Sequence, residues 1–172
     1  MQRPAAILGS AIFFVLVPLV LAGVVPWWMT RWQFQPPLLG LELTRVIGVL
    51  LIAAGVPGLV DSFAQFALKG LGTPAPIAPT RHLVVTGLYR YVRNPMYIAV
   101  VAVIFGQGLL FGDLRLLIYG ALFWLACHIF VVAYEESTLA RTFGADYERF
   151  RANVPRWIPR LTPWSGSAQK SK

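Results

Sequence analysis

Four long apolar runs, at about residues 4–26, 41–68, 95–111 and 115–136, decide what this chain can become. A hydrocarbon core of roughly 30 Å takes about 20 apolar residues to cross as an α-helix, and each run is close to that length. Of the 172 residues, 57% are hydrophobic and 13% charged, where soluble domains carry about 45–50% and about 25%. Mean hydropathy is +0.64. This pattern excludes a disordered chain, a disulfide scaffold and an ordinary soluble enzyme. It predicts an all-α, polytopic membrane helical bundle of about four transmembrane helices, with residues 1–172 as a single domain.

The punctuation between the runs fits that reading. The first run resembles a signal peptide but exceeds the usual apolar core of about 7–15 residues. Pro26, Trp27 and Trp28 follow it in place of a small-residue cleavage site, so it is expected to be a retained span. Trp27, Trp28 and Trp32 carry the amphipathic rings that settle at a membrane interface. Gly55, Pro57 and Gly58 predict a kink in the second run. A polar connector over residues 69–94, with Pro74, Pro76 and Pro79, leads to Pro95, which suits a first helical turn. Beyond Glu136, the apolar residues Leu139, Phe143, Tyr147 and Phe150 recur every three or four positions. That spacing predicts an amphipathic C-terminal segment over residues 137–155, which Gly144 can split into two short helices. Pro155 and Pro159 end it, and residues 165–172 form a polar tail expected to be mobile.

The 15 Lys and Arg outnumber the 7 Asp and Glu. No basic face with an aromatic reading platform accompanies the charge, so nucleic acid is not an expected partner. Basic residues instead gather on the cytoplasmic side of membrane spans. Four spans with both termini inside put Arg3, Lys69, Arg81, Arg90, Arg93 and the seven basic residues beyond Glu136 on one face, 12 of the 15. Arg31, Arg45 and Arg115 fall outside. The expected location is the cell (inner) membrane, multi-pass, with both termini and the active site cytoplasmic. Cys127 sits in an apolar run as a small hydrophobe, and no Cys/His cluster has metal-ligand spacing, so no metal is expected.

Three features of the expected cytoplasmic face carry chemistry. Residues 81–97 alternate apolar, aromatic and cationic groups and lead into a helix start, a seat for a carboxylate or phosphate. A juxtamembrane basic loop touching anionic headgroups has the same composition. The Glu135–Glu136 pair is either solvated or partnered, by a ligand ammonium, by ribose hydroxyls or by Arg93. Residues 143–157 have a spacing suited to a lid.

Two blocks carry a family likeness: Leu83-Val84-Val85-Thr86-Gly87-Leu88-Tyr89 through Arg93-Asn94-Pro95-Met96-Tyr97, and Glu135-Glu136, Leu139, Phe143-Gly144, Tyr147 and Val154-Pro155. They resemble the signatures of the isoprenylcysteine carboxyl methyltransferase family, to which phospholipid methyltransferases are related. The resemblance implies a membrane methyltransferase that uses S-adenosylmethionine, releases S-adenosylhomocysteine, and methylates a lipid or small apolar acceptor. Carried over by position, Arg81, His82, Leu83, Val84, Gly87, Tyr89, Asn94, Pro95, Met96, Tyr97, Glu135 and Glu136 would line the cofactor, with Arg93 and Asn94 as catalytic candidates. Many relatives have His where this chain has Asn94, and the prenylcysteine enzymes have an Arg at the position of Val131. Those two departures bear on the acceptor, and they are the support for an alternative: a catalytically inactive membrane binding or assembly protein that keeps the fold.

Methyl transfer from a sulfonium is an in-line displacement, so alignment and exclusion of water matter most. A carboxylate or thiolate acceptor needs no strong base, whereas a neutral amine or thiol does. His128 lies mid-span and is read as a satisfied buried histidine. Asp61 is either functional or interfacial. A transporter would show repeat symmetry and paired broken helices, which are not seen in the sequence.

Overall fold

A computed structural model describes residues 16–65 and 83–166. The start of the first run, the end of the second, most of the connector (Arg81 and His82 included) and residues 167–172 lie outside the described residues. The described residues are helical and contain no strand. The helices are α1 (Leu16–Thr30), α2 (Leu43–Gln65), α3 (Pro95–Phe111), α4 (Leu114–Phe143) and α5 (Ala145–Asn153). Short 3-10 turns occupy Leu38–Gly40 and Gly87–Arg90. Helices α2 and α4 are long and apolar enough to cross a membrane, while α1 and α3 are shorter apolar helices. The segment expected over residues 137–155 divides between the end of α4 and α5. It breaks at Gly144, whose φ of 51° and ψ of −125° suit only a residue without Cβ.

The chain forms two compact units. The apolar unit comprises residues 16–59 and 96–128, and the polar unit residues 60–65, 83–95 and 129–166.

In the apolar unit α2 and α3 meet backbone to backbone. A Cβ on Gly48 would lie 2.6 Å from the Gly106 carbonyl oxygen, and one on Gly55 2.9 Å from that of Ala99. Small residues at such crossings let helices approach closely where water supplies no driving force. Gly55 is therefore a contact point. Helix α2 runs on through Pro57, the place where the sequence predicts a kink, to Gln65. Val100, Val103 and Ile104 of α3 form the core with Ala22, and Leu59, Tyr119 and Phe123 pack against it. Leu114, Ile118, Leu122 and Leu125, spaced along one stripe of α4, are exposed. An uncovered apolar stripe of this kind suits a lipid solvent better than water.

Helix α1 shows how the unit satisfies its backbone. Pro26 has no N–H, so it cannot bond a carbonyl one turn earlier, and the helix widens into a π-turn over Val20–Val24. The carbonyls at the break find side chains instead. Gln107 Nε2 donates to the Ala22 oxygen at 2.6 Å, and the Tyr119 hydroxyl donates to that of Leu21 at 3.0 Å. Gln107 Oε1 in turn accepts the Trp32 indole N–H at 3.0 Å. In a membrane, where unsatisfied backbone groups cost several kcal/mol, such repairs are what make an interrupted helix tolerable.

Gln107→Leu keeps the bulk but strands the Ala22 carbonyl and the Trp32 indole. The expected cost is about 1–3 kcal/mol, read as a lower thermal unfolding midpoint of the detergent-purified chain.

Candidate functional site

The polar unit is organised around the end of α4. Residues Val131–Glu135 form a π-turn in which the Glu136 N–H reaches the Val131 oxygen. That wider turn inserts an extra residue into the helical register and sets the direction of the residues that follow. Glu136 is buried there. Its Oε1 accepts Arg93 Nη1 at 2.9 Å and Arg156 Nε at 2.6 Å, and its Oε2 accepts Arg156 Nη2 at 2.9 Å. Arg93 Nη1 also donates to the Tyr147 hydroxyl at 3.2 Å. The side chains of Arg93 and Glu136 are only 10% and 11% exposed. Two guanidiniums on one carboxylate leave the cluster with a net positive charge. Among the described residues Arg93 Nε is a buried donor without a hydrogen-bond partner.

The residues after α5 run as a strap along the connector. The Arg93 N–H donates to the Pro155 oxygen, the Arg160 N–H to that of Tyr91, and the Trp164 N–H to that of Arg90, each at 2.9 Å. Side chains reinforce the strap: Arg90 Nε donates to the Trp164 oxygen at 2.8 Å and Asn94 Nδ2 to the Arg156 oxygen at 3.1 Å. Beneath it Tyr147, Phe150 and Val154 form a second buried cluster with Leu83, Val85, Leu139, Phe143 and Trp164. Helix α5, expected as part of a lid, thus packs on residues of the connector.

A second polar contact forms at the end of α2. Asp61 Oδ2 accepts the Leu88 N–H at 3.1 Å and Asp61 Oδ1 accepts Gln65 Nε2 at 3.1 Å. Gln65 Oε1 accepts the Thr86 hydroxyl at 2.7 Å. Tyr89 is buried beside them and shares a hydrogen bond with Ser62. Burial, with the nearby Glu135 and Asp61 charges, pushes the Tyr89 phenol well above its ordinary range. Burial and the Glu136 charge push Tyr147 the same way, partly opposed by Arg93.

The polar unit therefore brings together Leu83, Val84, Gly87, Tyr89, Arg93, Asn94, Pro95, Glu135 and Glu136 of the residues singled out from the sequence. Met96 and Tyr97 follow in α3 and belong to the apolar unit, and Arg81 and His82 lie outside the described residues. Of the partners left open for Glu136, Arg93 is the one observed. The sequence reading missed Arg156, Gln65 and the strap. An arginine enclosed by Pro155 and Pro159, which end the preceding helix, was the available signal for Arg156.

Comparison with known proteins bears on these same residues. A family model described as phospholipid methyltransferase matches residues 43–146, more than half of the chain. Among curated proteins, the protein-S-isoprenylcysteine O-methyltransferase of Schizosaccharomyces pombe is 35% identical over 80 residues, 45% of this chain. The chain spans about a third of that relative's length (34%). No solved structure matches. The family match includes Asp61, the connector and Glu136, and stops short of Tyr147 and the strap.

Removing one partner from a buried ion pair leaves the other charge uncompensated, at a cost of about 3–5 kcal/mol. Glu136→Gln is expected to lose toward the lower end, because Arg156 is a third exposed (33%) and water can solvate it. The strap should then become protease-sensitive before the rest of the chain, which limited proteolysis reads directly.

The raised tyrosines predict a pH effect of definite sign. The folded state holds the Tyr89 and Tyr147 protons more tightly than the unfolded state. Their stabilisation is therefore complete below about pH 10, the unfolded value, and is lost as pH rises through the folded values. Thermal melts between pH 8 and 11 should fall at the alkaline end, and Tyr147→Phe should make that fall shallower.

Proposed function

We propose, from the premise that this chain belongs to the phospholipid methyltransferase family, that it is a membrane methyltransferase that uses S-adenosylmethionine and acts on a lipid or small apolar acceptor. The observation that carries the reading is the convergence of residues 83–95 of the first family-like block with the second block in one unit, joined by the 2.9 Å Arg93–Glu136 ion pair. The relative's name, with its isoprenylcysteine, supports a lipid-related acceptor.

The chemistry of the residues present suits a zwitterionic nucleoside cofactor. In this reading Glu135, which belongs to the second family-like block, is the carboxylate assigned to the cofactor's ammonium or ribose hydroxyls. Arg93 Nε is a buried N–H donor able to meet an anionic oxygen. Val84, Gly87 and Tyr89 contribute backbone and an aromatic face, and Pro95 continues the lining in this reading. When bound, S-adenosylmethionine supplies an electrophilic methyl group on a sulfonium. The protein's part is to hold the acceptor in line with that methyl and to keep water out. Arg93 and Asn94 hold the strap to the connector, and so contribute to a site closed to water. Four spans, with both termini and the site on the cytoplasmic side of the cell membrane, complete the proposal. Their support is the 12 of 15 basic residues that this topology places on one face.

Calorimetric titration of the purified chain with S-adenosylmethionine and S-adenosylhomocysteine tests the reading. Binding at tens of micromolar or tighter is expected, weakened at least tenfold by Glu135→Ala. No binding in that range, together with no labelled methyl transferred to a lipid extract, would sink it.

A further inference from the structure

The last turn of α2, which lies outside the two family-like blocks, makes a contact with the first of them in the connector. The 3-10 turn Gly87–Arg90 begins with backbone N–H groups that have no partner within the turn. Its N-cap residue, Thr86, makes no capping bond; its hydroxyl is donated to Gln65 at 2.7 Å. The cap comes from another helix. Asp61 Oδ2 takes the Leu88 N–H at 3.1 Å, while Asp61 Oδ1 takes Gln65 Nε2 at 3.1 Å and so fixes which way the Gln65 amide faces.

The fit over Gly87 is tight. That residue has a φ of +56°, and a Cβ there would lie 2.6 Å from Gln65 Nε2 and 2.7 Å from Asp61 Oδ2. The glycine is thus required twice, by its backbone conformation and by the side chains lying against it. Tyr89, 6% exposed and bonded to Ser62 of the same α2 turn, follows directly.

We infer that Asp61 and Gln65 are positioning residues. They clasp Thr86 and Leu88, and through them hold Gly87 and Tyr89 in the arrangement that receives the methyl donor. Asp61 acts through hydrogen-bond geometry and does not touch the donor. This inference rests on the cofactor reading proposed above and extends it to residues outside the family-like blocks.

The donor and acceptor inventory supplies a test that separates geometry from charge. In Asp61→Asn, the new Oδ1 still accepts the Leu88 N–H. Its Nδ2 can donate to Gln65 Oε1 once that amide turns over, and Gln65 Nε2 then donates to Thr86, whose hydroxyl accepts as well as donates. The clasp re-forms without its charge. In Asp61→Ala it cannot form.

The experiment measures S-adenosylhomocysteine affinity, the thermal midpoint and hydrogen exchange of peptides covering residues 83–92, all on the full chain in detergent. Asp61→Ala should weaken binding about tenfold and raise exchange across 86–90, with the thermal midpoint little changed. Asp61→Asn should restore affinity to within about threefold of the wild type. Thr86→Val, which removes only the outer hydrogen bond, should weaken binding about threefold and keeps the test open if Asp61→Ala fails to fold. The inference is overturned if Asp61→Asn binds as poorly as Asp61→Ala, which would make the charge itself the requirement. It is equally overturned if affinity falls only in step with the thermal midpoint. A wild-type chain with no donor affinity would remove the cofactor reading, while exchange at 86–90 would still decide whether the clasp exists.

Discussion

One carboxylate, that of Glu136, holds three stretches of chain in register: the connector through Arg93, the end of α4 on which it sits, and the strap through Arg156. Its energetic role is specific. Burying the Arg93–Glu136 pair costs desolvation that Coulomb attraction offsets only when the geometry is good and the remaining lone pairs are used. Both conditions hold here, since three N–H groups meet the two oxygens within 2.9 Å. What the pair secures is one arrangement among several. The bonds of the strap to residues 90–93 run between backbone atoms, which any sequence could supply at a shifted register. A bidentate guanidinium on a fixed carboxylate fixes the register, and the Asn94 amide on the Arg156 oxygen secures it again one residue away from the Arg93–Pro155 bond.

The same demand, that buried polar groups be answered, shapes the apolar unit with opposite materials. There the problem is a helix broken by Pro26, and the answer is two side chains, Gln107 and Tyr119, taken from α3 and α4. The π-turn at Val20–Val24 and the π-turn at Val131–Glu135 are consequently different devices. The first coincides with a proline and is repaired by neutral donors. The second contains no proline and directs an acid into a cationic cluster.

How much of this the sequence disclosed follows from the physical signals involved. Apolar runs are long and redundant, so each has its helix among the described residues, with the third bounded by Pro95 and Phe111 as predicted. The ion pair was half visible: Arg93 appeared among the partners considered for Glu136, because both residues belong to recognisable blocks. Arg156 did not, because an irregular strap has no periodicity and its backbone bonds leave no mark on residue type. The close contact at Gly55 was not legible for a related reason. Glycine marks both helix breaks and close helix contacts, and only the position of Ala99 on the neighbouring helix separates the two. Asp61 stood out as an acid at the end of an apolar run, yet its partner Gln65 is an unremarkable polar residue one turn later.

Asn94 gains a different meaning from this geometry. Where the family resemblance implies His, this chain carries a residue that does not titrate. In the structure its Nδ2 donates to a backbone oxygen of the strap, a task for any fixed N–H donor, with no proton transfer involved. A neutral imidazole and a carboxamide are equivalent there in what they supply, and the amide avoids protonation near a cluster that already carries excess positive charge. The substitution therefore argues less for lost catalysis than for a strap held by a donor whose state does not change with pH. The methyl transfer proposed above, which relies on alignment and dryness, has more use for that constancy than for another titrating group.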